Sequence, residues 1–366
     1  MPAITERSAV DLAAAIRRRE LTSAEVVGAH VQRLRATHAR INAVVAERYD
    51  DALTQARACD HRIAGGALRG APADDLPPLF GVPFTVKESI AVRGMPQSAG
   101  VQARAGQTSI QNAAAVQRLI DAGAIPLGVT NVSELTLWIE SDNPVYGRTN
   151  NPYDQSRTAG GSSGGEAATV AIGGSPFGIG ADIGGSIRIP ALFCGVFGHK
   201  PSSGLVPTTG LWPPVAEAAE PLLTVGPITR RAEDLLPLLR ILSGGSSAAS
   251  SADSIAGALD DTGDVSLVGL TVTTVSGSSL RPFSRALQNA RERAVGALAS
   301  AGATVRVVNL PSWRQALLPF LAMLHDDRAN GSGPTHAALG ISETSRLDLF
   351  QLLTGANGHT LPTRLA

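Results

Sequence analysis

Cysteine is nearly absent from this 366-residue chain. Two thiols, Cys59 and Cys194, cannot build a disulfide framework, and such scarcity fits a reducing compartment. No run of about 18 uncharged apolar residues occurs, so no membrane span is encoded. The opening MPAITERSAV lacks the apolar stretch of a signal peptide, and a cytoplasmic protein is the expectation. Net charge is lacking too, with Lys plus Arg and Asp plus Glu at 31 each. Neither a polyanion nor an acidic membrane surface is an evident partner, and nucleic acid is not expected. No repeat with a period of about 20 to 50 residues is visible.

Glycine and proline are in surplus, at 39 and 23 residues. Together they exceed the usual background of about 12% but stay below the quarter or more that marks disorder. At roughly 150 residues per domain, the length suits two or three units of core or one large α/β domain.

Along the chain, the first 65 or so residues read as helical. Ser8 with Asp11 and Thr22 with Glu25 have capping-box spacing, and Val26, Val27, His30, Val31 and Leu34 recur near a period of 3.6. Gly65 and Gly66 end this region. Val82, Phe84 and Val86 then alternate with Pro83, Thr85 and Lys87, which predicts a strand with Lys87 at its end. Residues 112–122 read as a helix closed by Gly123, 124–129 as a strand, and Asn131 with Glu134 as a further helix start. A second βαβ rhythm places strands at 265–275 and 303–308 around a helix at 280–301 closed by Gly302. Such crossovers imply a mixed, mostly parallel central sheet covered by helices. The small polar stretch Ser243 to Ser254 reads as a surface loop.

The glycine excess concentrates between Gly160 and Gly210, interleaved with Val170, Ile172, Phe177, Ile179, Ile183, Ile187, Ile189, Phe193 and Phe197. A flexible linker does not alternate glycine with core residues. Glycine in a core lets main-chain N–H groups approach a bound group, as anion and oxyanion cradles require. A phosphate cradle fits poorly, because Gly178 to Ile183 misses the last glycine of G-x-G-x-x-G and no Walker lysine occurs in the segment. A hydrolase cradle fits better, because Ser186 directly follows Gly184 and Gly185.

The segments Gly81–Glu88, Asn131–Glu134, Val145–Asp154, Gly160–Glu166 and Asp182–Arg188 together resemble the amidase signature family, most closely its fatty acid amide hydrolase-like branch. The resemblance spans roughly residues 8 to 245. It implies one large α/β amidase domain over 1–366, with a helical N-terminal region of about 1–70, a catalytic core of about 79–245 and a further α/β segment of about 265–366. It also implies a triad of Ser186 as nucleophile, Ser162 as bridging serine in a cis peptide and Lys87 as general base. The N–H groups of Ile183, Gly184, Gly185 and Ser186 would form the oxyanion hole, supported by Ser163, Asp182 and Arg188. The chain stops at Leu365-Ala366, earlier than family members usually do, so a shortened C-terminal part is expected.

The implied chemistry is coherent. A serine hydroxyl needs a neighbouring base to take its proton during attack. With an ordinary pKa near 10.4, only about 0.04% of a lysine is neutral at pH 7, and burial can lower that pKa by about 3 to 5 units. The apolar neighbours Val82, Phe84, Val86 and Ile90 suit such burial. Ser162 would relay the proton to Lys87 and return it to the leaving nitrogen, and the mechanism calls for no cofactor or metal.

Other readings compete. Gly160-Gly161-Ser162-Ser163-Gly164 matches G-x-S-x-G, which would make Ser162 the nucleophile and require a histidine among His199, His325, His336 and His359. Cys194 with His199 could be a thiol site, although free cysteine in an apolar run is usually inert packing. His325 with Asp326 and Asp327 fits no zinc spacing. Asp182 and Arg188, in an apolar glycine-rich loop, are expected to pair with each other or with backbone. Trp138, Trp212 and Trp313 read as core or pocket walls. Within the family, a glutamine-hydrolysing amidotransferase subunit would show serine where Glu166 stands and glutamine where Ile189 stands. An inactive binding homologue is disfavoured by the joint presence of Lys87, Ser162 and Ser186. Gln97 stands where the family often has threonine. The expected partner is a small amide with an apolar acyl group, and a homodimer is compatible with the reading.

Overall fold

A computed structural model describes residues 2–65, 76–215, 217–244, 265–275 and 283–308, with positions 316, 319, 320 and 323. Three helices open the chain: α1 (Ala9–Arg17), α2 (Ser23–Ile41) and α3 (Tyr49–Ala64). The Ser8 side chain accepts the Asp11 N–H at the start of α1, and Thr22 and Glu25 form a reciprocal capping box on α2. A second cap reaches α1 from far along the chain. The Asp234 carboxylate accepts the N–H groups of Ala9 at 2.9 Å and Val10 at 3.0 Å. The N-terminal region is not wholly helical, because β1 (Val44–Glu47) lies between α2 and α3. Four residues between two long helices offer too short a window for a period-2 signal.

The remaining elements are β2 (Pro83–Lys87), α4 (Ala114–Asp121), β3 (Ile125–Thr130), α5 (Gly164–Ala171), β4 (Phe177–Asp182), α6 (Arg188–Cys194), β5 (Phe197–Gly198), β6 (Thr224–Thr229) and α7 (Leu235–Ser243). They are followed by β7 (Thr271–Val275), α8 (Arg285–Ser300) and β8 (Thr304–Val308). The expected helix at Asn131 is instead a single 3-10 turn over Glu134–Thr136, in which Leu135 and Thr136 take left-handed φ of 53° and 59°. The start of the helix expected at 280, and most of the loop expected at 243–254, lie outside the described residues.

Strand order in the main sheet is β1-β3-β2-β4-β6-β5. The expected mixed sheet is present, but it is not mostly parallel, with two parallel pairs against three antiparallel ones. Its parallel pairs are the central ones, β2 with β3 and β2 with β4, whereas β1–β3, β4–β6 and β5–β6 are antiparallel. Every residue of β2, β3, β4 and β6 is buried, as central strands covered on both faces must be. The stacked rings of Phe84 and Phe177, 5.6 Å between centroids, tie β2 to β4 inside a core shared with Leu12, Ile16, Leu119 and Ile179. The second βαβ rhythm gives β7 and β8 as a separate parallel pair.

Candidate active site

Ligand sites in open α/β sheets form at the carboxyl ends of parallel strands. β2 ends at Lys87 and its parallel neighbour β4 ends at Asp182. Two loops meet there: 160–163, which runs into α5, and 183–187, which runs into α6.

Lys87 is 1% exposed, and its Nζ donates to Ser162 Oγ at 2.7 Å and to the Ala181 carbonyl at 3.3 Å. Burial lowers its pKa to about 7, against the opposing pull of Asp182 and Glu166. About half of the lysine is therefore neutral near pH 7, which makes it a competent base where an ordinary lysine would be almost wholly protonated.

Ser162 follows a cis peptide after Gly161 and is completely buried. The loop is packed too tightly for larger residues. A side-chain carbon at Gly161 would lie 2.7 Å from the Glu140 nitrogen, and one at Gly164 would lie 2.5 Å from Ser141 Oγ. Ser141 secures the loop by donating its hydroxyl to the Ser162 carbonyl at 3.2 Å and accepting the Gly164 N–H at 2.8 Å. Ser163 joins the two loops, with its N–H on the Ser186 carbonyl at 3.1 Å and its hydroxyl on the Ala181 carbonyl at 3.4 Å.

Ser186 is half-buried and lines the same cavity as Lys87 and Ser162. The cavity, about 40 Å³, is also walled by Thr136, Ile183, Leu211, Trp212 and Leu223. Its volume is several times the least that admits a water, as a hydrolytic step requires. The Arg104 guanidinium stacks on the Trp212 ring at 3.9 Å.

Asp182 and Arg188 pair as expected, through Nε to Oδ2 at 3.0 Å and a terminal nitrogen to Oδ1 at 2.9 Å. The buried carboxylate also accepts the N–H groups of Gly185, Ile187 and Arg188, so it organises the turn into α6. Burial alone would push its pKa up, but Arg188 and the Ile187 and Gly185 N–H groups together hold it below the usual carboxylate range. This network changes one expectation for the oxyanion cradle. The Gly185 N–H donates to Asp182 at 2.8 Å, whereas those of Ile183, Gly184 and Ser186 are not spent on that carboxylate.

The competing nucleophiles find no support. Cys194 is buried with its Sγ on the Ala159 carbonyl, and burial pushes the thiol up to about 12. The residue on Ser162 Oγ is Lys87 rather than a histidine, and His325, His336 and His359, like Asp326, Asp327 and Trp313, lie outside the described residues. Trp212 is a pocket wall, but Trp138 is 46% exposed. Among the described residues no group of three His, Cys, Asp or Glu side chains could hold a metal ion, and no helix is long and apolar enough to cross a membrane.

The profile of the amidase family matches residues 25–346. The chain belongs to the amidase family. It is 41% identical over 364 residues to zebrafish (Danio rerio) fatty-acid amide hydrolase 2-A, a match covering 97% of this chain and 67% of that protein. It is 37% identical to a glutamyl-tRNA(Gln) amidotransferase subunit from Acidothermus cellulolyticus, over 87% of this chain and 62% of that one. A solved fatty acid amide hydrolase structure has the same fold, with a TM-score of 0.78 at 24% identity over 92% of this chain and 57% of that one. The chain thus spans about two thirds or less of the length of these relatives.

One feature of this amidase-family site has no local sequence signal as a functional group, namely the buried carboxyl of Glu166. It accepts hydroxyl hydrogen bonds from Thr85 on Oε1 and from Thr130 on Oε2, the latter at 2.7 Å. Burial pushes it up to about 7, in spite of both hydroxyls and the nearby Lys87. Only glycine fits opposite it, because a side-chain carbon at Gly178 would overlap Oε1.

Proposed function

We propose that this chain hydrolyses carboxylic amides, with a preference for apolar acyl groups, through an acyl-serine intermediate on Ser186. The observation that carries this reading is the contact of a wholly buried Lys87 with Ser162 at 2.7 Å, in a cavity that Ser186 also lines. Ser186 Oγ attacks the amide carbon while its proton passes to Ser162 Oγ, and the Ser162 proton passes to neutral Lys87 along the same short contact. The carbonyl oxygen becomes an oxyanion, held by the N–H groups of Ile183, Gly184 and Ser186. Each such donor is worth about 3 to 4 kcal/mol. The proton returns through Ser162 to the leaving nitrogen as the carbon–nitrogen bond breaks, and a water repeats the sequence to release the acid. Ser163 and the Asp182–Arg188 pair hold the two loops in place for this work.

Leu211, Trp212, Val215 and Leu223 on the cavity wall support the apolar preference, as does the likeness to fatty-acid amide hydrolase 2-A. The amidotransferase relative supports a second reading, in which the chain hydrolyses glutamine within a larger assembly. Glu166 and Ile189 stand against it, occupying places where that branch usually has serine and glutamine. The reading also takes residues 1–366 as one amidase domain.

A fluorophosphonate should label Ser186, and Ser186→Ala should abolish the labelling. Turnover should rise from acetamide to oleamide across a panel that includes benzamide and aryl amides. An unlabelled protein would sink the proposal, and glutaminase activity that rises with a partner protein would favour the second reading.

A further inference from the structure

Two carboxyl groups act on Lys87: Asp182 at the end of β4 and Glu166 on α5. Asp182 is already matched, since Arg188 pairs with both of its oxygens. Glu166 has no ion pair among the described residues, only the hydroxyls of Thr85 and Thr130. Its position relative to the lysine follows from the sheet. Thr85 and Lys87 are two residues apart on β2 and share one face of the strand. Thr130 is the register partner of Lys87 on β3, and Gly178 that of Thr85 on β4. Glu166 touches both threonines and abuts Gly178, so the three central strands box its carboxyl in beneath the lysine.

We propose that Glu166 is a positioning residue whose carboxylate stabilises the Lys87 ammonium as it forms during attack, which rests on the Ser-Ser-Lys reading above. Its action is electrostatic, through Lys87, and it touches no reacting atom. Two buried groups of opposite sign that act on each other titrate as a pair, so a proton on Lys87 favours the ionised form of Glu166. Burial raises its pKa to about 7, so about half of it is already ionised near pH 7 and that fraction rises at higher pH, which supplies the charge without any proton leaving Glu166 during attack. Asp182 cannot respond in the same way, because Arg188 holds it ionised throughout.

The test is the pH dependence of fluorophosphonate labelling at Ser186, read beside amide turnover in wild type and Glu166→Gln. Loss of the negative charge makes the ammonium less favourable, so Lys87 stays neutral to lower pH. The acid limb should move down by about one pH unit. A weaker base should also lower the plateau rate by about threefold to tenfold, with KM unchanged. A folded Glu166→Gln protein with an unmoved limb overturns the inference. If that variant does not give a wild-type melting transition, Thr130→Val becomes the test, because it removes one hydroxyl that favours the carboxylate. Its limb should move the same way by a few tenths of a unit, and an unmoved limb again overturns the inference. A wild type that takes no label overturns the Ser-Ser-Lys reading and this inference with it, whereas a labelled wild type with an unmoved variant limb overturns this inference alone.

Discussion

On the α6 side of Lys87, Asp182 is buried against a guanidinium and three backbone N–H groups, and its charge is fully committed to the shape of a loop. On the α5 side, Glu166 is buried just as deeply against two neutral hydroxyls, and its charge is committed to nothing. Two equally buried carboxyls of one site therefore end on opposite sides of the usual range: Asp182 is held below it and Glu166 is pushed up to about 7. The difference lies in the partners, because desolvation penalises both anions and only Asp182 is hydrogen-bonded to a cation. A matched carboxylate fixes geometry, whereas an unmatched one leaves its charge to bear on a neighbour that gains a proton.

The sharpest way to break this comparison is to remove the group between the two sides. Lys87→Met should lower the labelling rate of Ser186 by about 10²- to 10⁴-fold, as loss of a general base does, while the melting temperature holds or rises because a buried amine is gone. On the Asp182 side the effect should fall on stability. Asp182→Ala leaves three loop N–H groups without their acceptor while the half-exposed Arg188 turns to water, and denaturant unfolding should show a loss of about 2 to 4 kcal/mol. The Glu166 side can be disturbed without touching a charge. Gly178→Ala puts a methyl into the carboxyl, so unfolding should show a cost of about 1 to 3 kcal/mol. Lastly, the two sides meet in the pH profile. Lys87 works only when neutral and its pKa is lowered to about 7, so kcat/KM should be flat above that value and fall about tenfold per pH unit below it. A limb near pH 10 would show that burial does not act on the lysine as described.

Much of this arrangement is written locally in the sequence. Period-2 alternation places Lys87 at a strand end, capping spacings place the starts of α1 and α2, and interleaved glycines mark 160–210 as core rather than linker. Charge in an apolar loop points to the Asp182–Arg188 pair, because two such groups have no inexpensive alternative to each other. What cannot be read is non-local. β1 exists because β3 offers it an edge, not because four residues prefer to be extended. The turn over Glu134–Thr136 replaces an expected helix because Leu135 and Thr136 adopt left-handed φ there, against their intrinsic preference. Glu166 carries no local signal, since nothing nearby in sequence reveals that residues 85, 130 and 178 enclose it. The Gly185 N–H is equally opaque, because its engagement depends on how Asp182 folds back over the turn.

The cap that Asp234 places on α1 has a consequence in time. Its partners Ala9 and Val10 leave the ribosome more than 200 residues before it does. Until residue 234 is made, the first helix of a nascent chain has only its own Ser8 to close its end. Bringing the distant carboxylate back closes a very long loop, whose entropic cost grows only slowly with length but must be met before the contact returns anything. The segment that leads into α7 therefore locks onto α1 only once residue 234 has been made, and partial chains that stop short of Asp234 lack this fastening of α1.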